Sequence, residues 1–275
     1  MQIAIIGTGT MGRGIAQAVS QIEGFEVILC GRNKESAEKA VENIRSRYEK
    51  LISKGKVSAD KVDAAMSRIY SGDWKDSYRC DLIIESVPEN FQIKVDTISS
   101  IAPNTKGQIV TNTSSLSLKK LQETTGYPLV GMHFFNPVPA MKLVEIVHTD
   151  KNTDEQVQRI KDIALQLGKD PILVKDNPGI IVNRLLITMI NEAVLQYEVG
   201  IASEEDIDKA MRLGANFPMG PLELADYIGI DVVLAIMNSI EEQTGNNKYQ
   251  PADLLLKMVQ ENKLGRKSGQ GFYRY

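Results

Sequence analysis

Ile3-Ala4-Ile5-Ile6-Gly7-Thr8-Gly9-Thr10-Met11-Gly12 puts an apolar, β-prone run directly before a Gly-x-Gly-x-x-Gly spacing, and a helical pattern follows it. A buried strand that enters a helix through this spacing gives each glycine its own task. Gly7 allows the tight turn, Gly9 lets a pyrophosphate approach the backbone, and Gly12 permits close packing of helix on strand. The helix N-terminus adds unpaired N–H groups and the positive end of a dipole. Alone the spacing is a weak signal. In this strand–helix setting it predicts dinucleotide binding, with Thr10 and Met11 in the same cofactor loop.

Outward from this turn, residues 26–30, 81–86, 108–111, 129–133 and 143–147 read as further strands. Helical patterns lie between them, the clearest at 34–54, where Ala37, Val41, Ile44, Tyr48 and Leu51 form one apolar stripe. The alternation predicts an α/β fold with parallel pairing, a doubly wound sheet. After Asp176-Asn177-Pro178-Gly179 the pattern becomes almost wholly helical. Val182, Leu186, Met189 and Ala193 fit one long helix, Ser203 is a candidate N-cap for the next, and Pro218-Met219-Gly220-Pro221 interrupts before a third. The expected domains are therefore 1–179, a sheet domain that binds the cofactor, and 180–275, all helical.

Composition narrows the partners. Among 275 residues, 32 Lys and Arg stand against 35 Asp and Glu, a formal charge of −3. Nothing in that balance favours nucleic acid or an anionic membrane, so any anionic ligand needs a local cluster of cations or N–H groups. No apolar run nears the ~20 residues that span a bilayer. The chain opens on a strand, from which a cytoplasmic protein is expected. Cys30 and Cys80 fit no metal-ligand spacing and read as buried thiols; no metal is expected.

The end of the second strand bears on which nicotinamide cofactor is used. NAD sites usually place an acid there for the ribose 2′-hydroxyl. This chain has Gly31, followed by Arg32 and Asn33. A carboxylate repels a 2′-phosphate, whereas glycine leaves room and a guanidinium binds it with two hydrogen bonds. NADP is favoured on that ground. The alternative is a solvated Arg32, with Asn33 serving the 2′-hydroxyl of NAD.

The two histidines differ in setting. His133 ends an apolar strand just before Phe134-Phe135-Asn136-Pro137, where ligands of such sheets bind; His148 precedes only a polar stretch. Glu145 stands between Val144 and Ile146, and a carboxylate in so apolar a strand calls for a specific partner. A neighbouring imidazole is the natural one, because the acid fixes the ring tautomer and stabilises the charge that arrives with a proton. Such a pair can take a proton from an alcohol during its oxidation.

Together with the first turn, Asn112-Thr113-Ser114-Ser115-Leu116, His133-Phe134-Phe135-Asn136-Pro137, Met141-Lys142-Leu143-Val144-Glu145 and Pro178-Gly179-Ile180-Ile181-Val182-Asn183-Arg184 resemble the 3-hydroxyacyl-CoA dehydrogenases, most of all the short bacterial 3-hydroxybutyryl-CoA dehydrogenases. The resemblance continues to the end of the chain. It implies a Rossmann-type domain followed by a helical domain that binds substrate and forms a homodimer. It also implies oxidation of the (S)-alcohol of an acyl-CoA, four-carbon by analogy. His133 is then the general base or acid, Glu145 its partner, and Ser114 and Asn183 the residues that hold the substrate's oxygens. Glu89, Lys94 and Asn136 match cofactor contacts, although a solvated helix lysine also accounts for Lys94. Lys54, with Lys50 and Arg47 on the same flank of the 34–54 helix, matches a site for the phosphates of coenzyme A; a solvated face is the alternative.

Other readings of this motif set are a longer-chain 3-hydroxyacyl-CoA dehydrogenase, a gulonate dehydrogenase, or a non-catalytic NAD(P)-binding protein. The combination of Ser114, His133, Glu145 and Asn183 speaks against the last, since a binder needs none of them. A β-hydroxyacid dehydrogenase of the 6-phosphogluconate type shares the glycine turn but lacks the His-Phe-Phe-Asn-Pro stretch.

Overall fold

The apolar run before Gly7 forms β1 (Gln2–Ile6), and Ile3, Ala4, Ile5 and Ile6 have no solvent exposure. Burial of a strand on both faces produces a continuous apolar run rather than an alternating one. Each fully buried isoleucine contributes roughly 1.5–3 kcal/mol. β1 leads through the glycine turn into α1 (Thr10–Ser20), then β2 (Glu26–Cys30) and α2 (Lys34–Ser53). Asn33 caps α2 by accepting the Ser36 N–H, and Ala37, Ala40, Ile44 and Tyr48 are its buried face.

The computed structural model describes residues 1–275, which divide into two compact units, Met1–Asp176 and Asn177–Tyr275. The first continues with α3 (Ala59–Met66), β3 (Ile69–Gly72), β4 (Leu82–Glu85), α4 (Phe91–Ile101), β5 (Gln108–Thr111), α5 (Leu118–Thr125), β6 (Val130–Phe134), β7 (Leu143–His148), α6 (Asp154–Gln166) and β8 (Asp170–Lys175). The eight strands make one sheet in the order β3-β2-β1-β4-β5-β6-β7-β8. All neighbours pair in parallel except β6 with β7. The order reverses between β1 and β4, and ligands of such sheets bind beyond the carboxyl ends of the strands at this point.

Two strands and one direction depart from the sequence expectation. β3 is four residues long with Tyr70 exposed, and β8 carries Pro171. Both are edge strands, where pairing on one side tolerates short length and a missing N–H. β6 and β7 are antiparallel because residues 135–142, with two prolines, form no crossover helix between them.

The second unit holds α7 (Val182–Glu198), α8 (Glu204–Gly214), α9 (Pro221–Ile228), α10 (Ile230–Thr244) and α11 (Asp253–Gln260) around a core that includes Ile190, Leu222, Val233, Met237 and Leu255. Buried Asp208 and Asp226 tie it together. Asp208 accepts the Leu222 and Glu223 N–H groups at the start of α9 and the Tyr273 hydroxyl. Asp226 accepts the N–H groups of Phe272 and Tyr273, which fixes the C-terminal segment. No helix is long and apolar enough to cross a membrane.

Candidate active site

The three glycines of the first turn have distinct surroundings. A Cβ on Gly7, whose φ is 126°, would lie 2.3 Å from the Ser86 carbonyl oxygen beyond β4. A Cβ on Gly12 would lie 1.9 Å from the Gly7 carbonyl oxygen, whereas one on Gly9 meets nothing within 4 Å. Gly9 is also the N-cap of α1 and supplies no side-chain cap. The turn is thus tight where strand and helix pack and open where the first N–H groups of α1 emerge, a cradle that fits a pyrophosphate. At the end of β2, Gly31 is buried while Arg32 and Asn33 are exposed. A Cβ on Gly31 would stand 2.1 Å from Ser36 Oγ and 2.8 Å from the Asn33 carbonyl oxygen. The Asn33 amide oxygen is engaged in capping α2.

β6 and β7 bring His133 and Glu145 together as direct cross-strand partners. His133 Nδ1 lies 2.7 Å from Glu145 Oε2; His133 is 5% exposed and Glu145 not at all. An ionised carboxylate only accepts, so Nδ1 is the nitrogen that donates to it, and in the neutral ring the lone pair is then on Nε2. The Phe135 ring lies 4.5 Å from the imidazole, tilted by 52°. Two buried polar side chains hold the ends of this hairpin. Asn112 Oδ1 accepts the Phe134 N–H, and Lys169 Nζ donates to the carbonyls of Val138 and Met141 at 2.6 and 2.9 Å. Burial, and secondarily the nearby Lys142, lower the Lys169 pKa from its ordinary value.

Ser114 sits in the loop between β5 and α5, which two carboxylates hold from opposite ends. Glu89 Oε1 accepts the Thr113 hydroxyl at 2.7 Å and the N–H groups of Ser114 and Ser115 at 2.8 and 2.9 Å. Asp176 accepts the N–H groups of Leu118 and Lys119 at 3.2 and 2.9 Å. Burial by itself would raise the Glu89 carboxyl pKa; Lys94 and the hydrogen bonds from Thr113, Ser114 and Ser115 outweigh it and hold it below the usual carboxylate range. Lys94 is not a solvated helix lysine. It has no exposure, and its Nζ bonds both oxygens of Glu85.

Family models match in both units: 3-hydroxyacyl-CoA dehydrogenase, NAD binding domain, over residues 2–177, and 3-hydroxyacyl-CoA dehydrogenase, C-terminal domain, over 179–275. The chain belongs to the 3-hydroxyacyl-CoA dehydrogenase family. It is 43% identical to a 3-hydroxybutyryl-CoA dehydrogenase of Clostridioides difficile, covering 100% of this chain and 99% of that protein. It is 38% identical to the human mitochondrial hydroxyacyl-coenzyme A dehydrogenase over 99% of this chain and 90% of the relative. The crystal structure of an (S)-3-hydroxybutyryl-CoA dehydrogenase from Ralstonia eutropha matches with a TM-score of 0.94 and 40% identity, over 100% of this chain and 98% of that one.

The remaining expected residues of this 3-hydroxyacyl-CoA dehydrogenase family member lie on other segments. Asn136 is exposed in the loop after β6. Asn183 lies in the first turn of α7, in the second unit. Arg47, Lys50 and Lys54 are exposed on the last turns of α2 and at its C-cap. Glu85, Asn112, Lys169 and Asp176 were not among the expected site residues. Only Glu85 carried a signal: it ends the buried run Leu82-Ile83-Ile84, the kind of apolar setting that singled out Glu145.

Proposed function

We propose that this chain interconverts (S)-3-hydroxybutyryl-CoA and acetoacetyl-CoA with NADP(H) as the favoured cofactor, using His133 as general base in oxidation and general acid in reduction. The observation that carries the reading is the buried 2.7 Å pair of His133 and Glu145 in a member of this family. The glycine turn and the uncapped start of α1 are suited to the cofactor's pyrophosphate, and the exposed guanidinium of Arg32 to a 2′-phosphate, whereas the space beside buried Gly31 is filled by Ser36 and the Asn33 carbonyl. A bound nicotinamide supplies or accepts the hydride at C3 of the substrate.

The chain's own part is proton transfer and orientation. In oxidation Nε2 of His133 takes the hydroxyl proton while Nδ1–H stays on Glu145, so the positive charge forms beside a carboxylate already in place. In reduction the same nitrogen returns the proton to the new alkoxide oxygen. Ser114 and Asn183 orient the substrate's oxygens, and Lys50 and Lys54, with Arg47, meet the phosphates of coenzyme A. Proton and hydride must move from one geometry, so alignment matters as much as basicity. The bacterial relatives favour the cytoplasm, and the apolar side chains exposed on the second unit favour a homodimer.

The test is steady-state reduction of acetoacetyl-CoA with NADPH and with NADH in one buffer. A kcat/KM about tenfold or more higher with NADPH is expected, equal to about 1.4 kcal/mol of discrimination or more. Arg32→Ala should lose most of it. A preference for NADH overturns the NADP reading and leaves the dehydrogenase standing. Absence of turnover with either cofactor overturns the substrate.

A further inference from the structure

A buried ammonium is costly unless its charge is met and its N–H groups are bonded. Lys94 is met from two sides. Its Nζ lies 2.9 and 3.1 Å from the two oxygens of Glu85 and 3.4 Å from Glu89 Oε2, with the Val87 carbonyl at 3.5 Å. Four acceptors thus surround three protons. Glu85, itself without exposure, is held in turn: Oε1 accepts the Val87 N–H at 2.8 Å and Oε2 the Thr111 hydroxyl at 2.6 Å. Glu89 faces both ways, with Oε2 toward the ammonium and Oε1 toward the donors of Thr113, Ser114 and Ser115.

We propose that Lys94, anchored by Glu85, is a positioning residue that sets the Ser114 loop through Glu89 and does not itself hold the cofactor. The resemblance of Lys94 to a cofactor contact suggests a direct role. Yet an ammonium with no exposure and every proton directed at protein oxygens has none to offer a phosphate or a ribose. The Glu89 carboxylate works as a strut. One oxygen is fixed on a charge rooted in β4 and β5, and the other gathers the donors of the loop that carries Ser114. Without the ammonium, Glu85 and Glu89 face each other as like charges, and Glu89 is free to swing into water and release the loop. The functional consequence rests on the proposed role of Ser114 in holding substrate.

Amide hydrogen exchange separates the strut from general loss of stability, because the adjoining first turn of α5 serves as the control. The N–H groups of Ser114 and Ser115 depend on Glu89, while those of Leu118 and Lys119 depend on Asp176. In Lys94→Met, exchange at Ser114 and Ser115 is expected to rise about tenfold or more, with Leu118 and Lys119 within about twofold of the unmodified protein. kcat with acetoacetyl-CoA should fall about tenfold, as a displaced substrate contact requires. The pair Glu85→Gln/Lys94→Met leaves no orphaned buried charge and should give the same pattern if the single variant does not fold. In a Glu89→Ala background, adding Lys94→Met should change neither exchange nor kcat further. Unchanged exchange at Ser114 and Ser115 in a folded variant would overturn the proposal. So would a uniform rise across all four amides, a tenfold weaker NADPH Kd with the loop unaltered, or additive effects in the Glu89→Ala background. If the unmodified protein does not turn over acetoacetyl-CoA, the substrate reading falls, and the exchange pattern still decides the strut.

Discussion

Glu145 has no solvent exposure and lies 2.7 Å from the His133 imidazole, so a small change at this residue probes the chemistry directly. Glu145→Gln keeps the shape, but it can turn an N–H toward Nδ1 and select the tautomer whose proton sits on Nε2. That tautomer has no lone pair where the alcohol's proton must go. kcat should fall about 10²-fold or more, within the range for a misdirected general base, while the melting temperature and the NADPH Kd change little. A drop in kcat matched by an equal loss of cofactor affinity would show that Glu145 supports the site as a whole and does not act through the ring. At this scale the sequence was legible wherever one residue clashed with its neighbours in kind. Glu145 stood out between Val144 and Ile146 and Gly31 stood out where an acid is usual, whereas Lys169 followed a glycine after an ordinary helix and gave no sign that its Nζ ends on two carbonyls.

The Ser114 loop is the element on which positioning and pH meet. Its N–H groups converge on Glu89, whose folded-state pKa lies below the ordinary value of 4.5. For an acid with a depressed folded pKa, the unfolded chain binds more protons in the window between the two values. The stabilisation is therefore complete above about pH 4.5 and is lost as pH falls through the lower, folded value. The stability gap between the unmodified protein and Glu89→Ala, read by urea unfolding, should be constant near neutrality and shrink below pH 4.5. A gap that widens on acidification would mean that Glu89 is bound as the neutral acid. Among the elements, the buried central strands were readable because burial on both faces makes them continuously apolar. β3 and β8 were not, because an edge strand is stabilised by its one neighbour and carries little pattern of its own. The β6–β7 hairpin was hidden for a different reason. Alternation of strands and helices implies parallel neighbours, and only the helix-free residues 135–142 reverse the direction that lets Glu145 face His133.

For the molecule as a whole, the break after Asp176 separates a sheet unit from a helical unit whose most exposed apolar side chains gather along and just beyond one helix. Leu185, Leu195 and Val199 share one side of α7 and are 69%, 38% and 72% exposed; Ile201 and Leu213 beyond it are 67% and 77% exposed. Surface leucines scattered singly need no explanation, but a helix face with this spacing resembles half of an interface. The expected domain limits, 1–179 and 180–275, rested on the Pro-Gly break, which marks where a chain stops one pattern but says nothing of which faces stay uncovered. If this face is the homodimer contact, light scattering on the unmodified protein should give twice the chain mass at micromolar concentration. Leu185→Glu/Val199→Glu should give the single-chain mass with an unchanged helical circular dichroism spectrum, since neither side chain belongs to the core around Ile190 and Met237. A dimer that survives the double substitution would move the interface to another surface, and a monomeric unmodified protein would remove the dimer from the reading altogether.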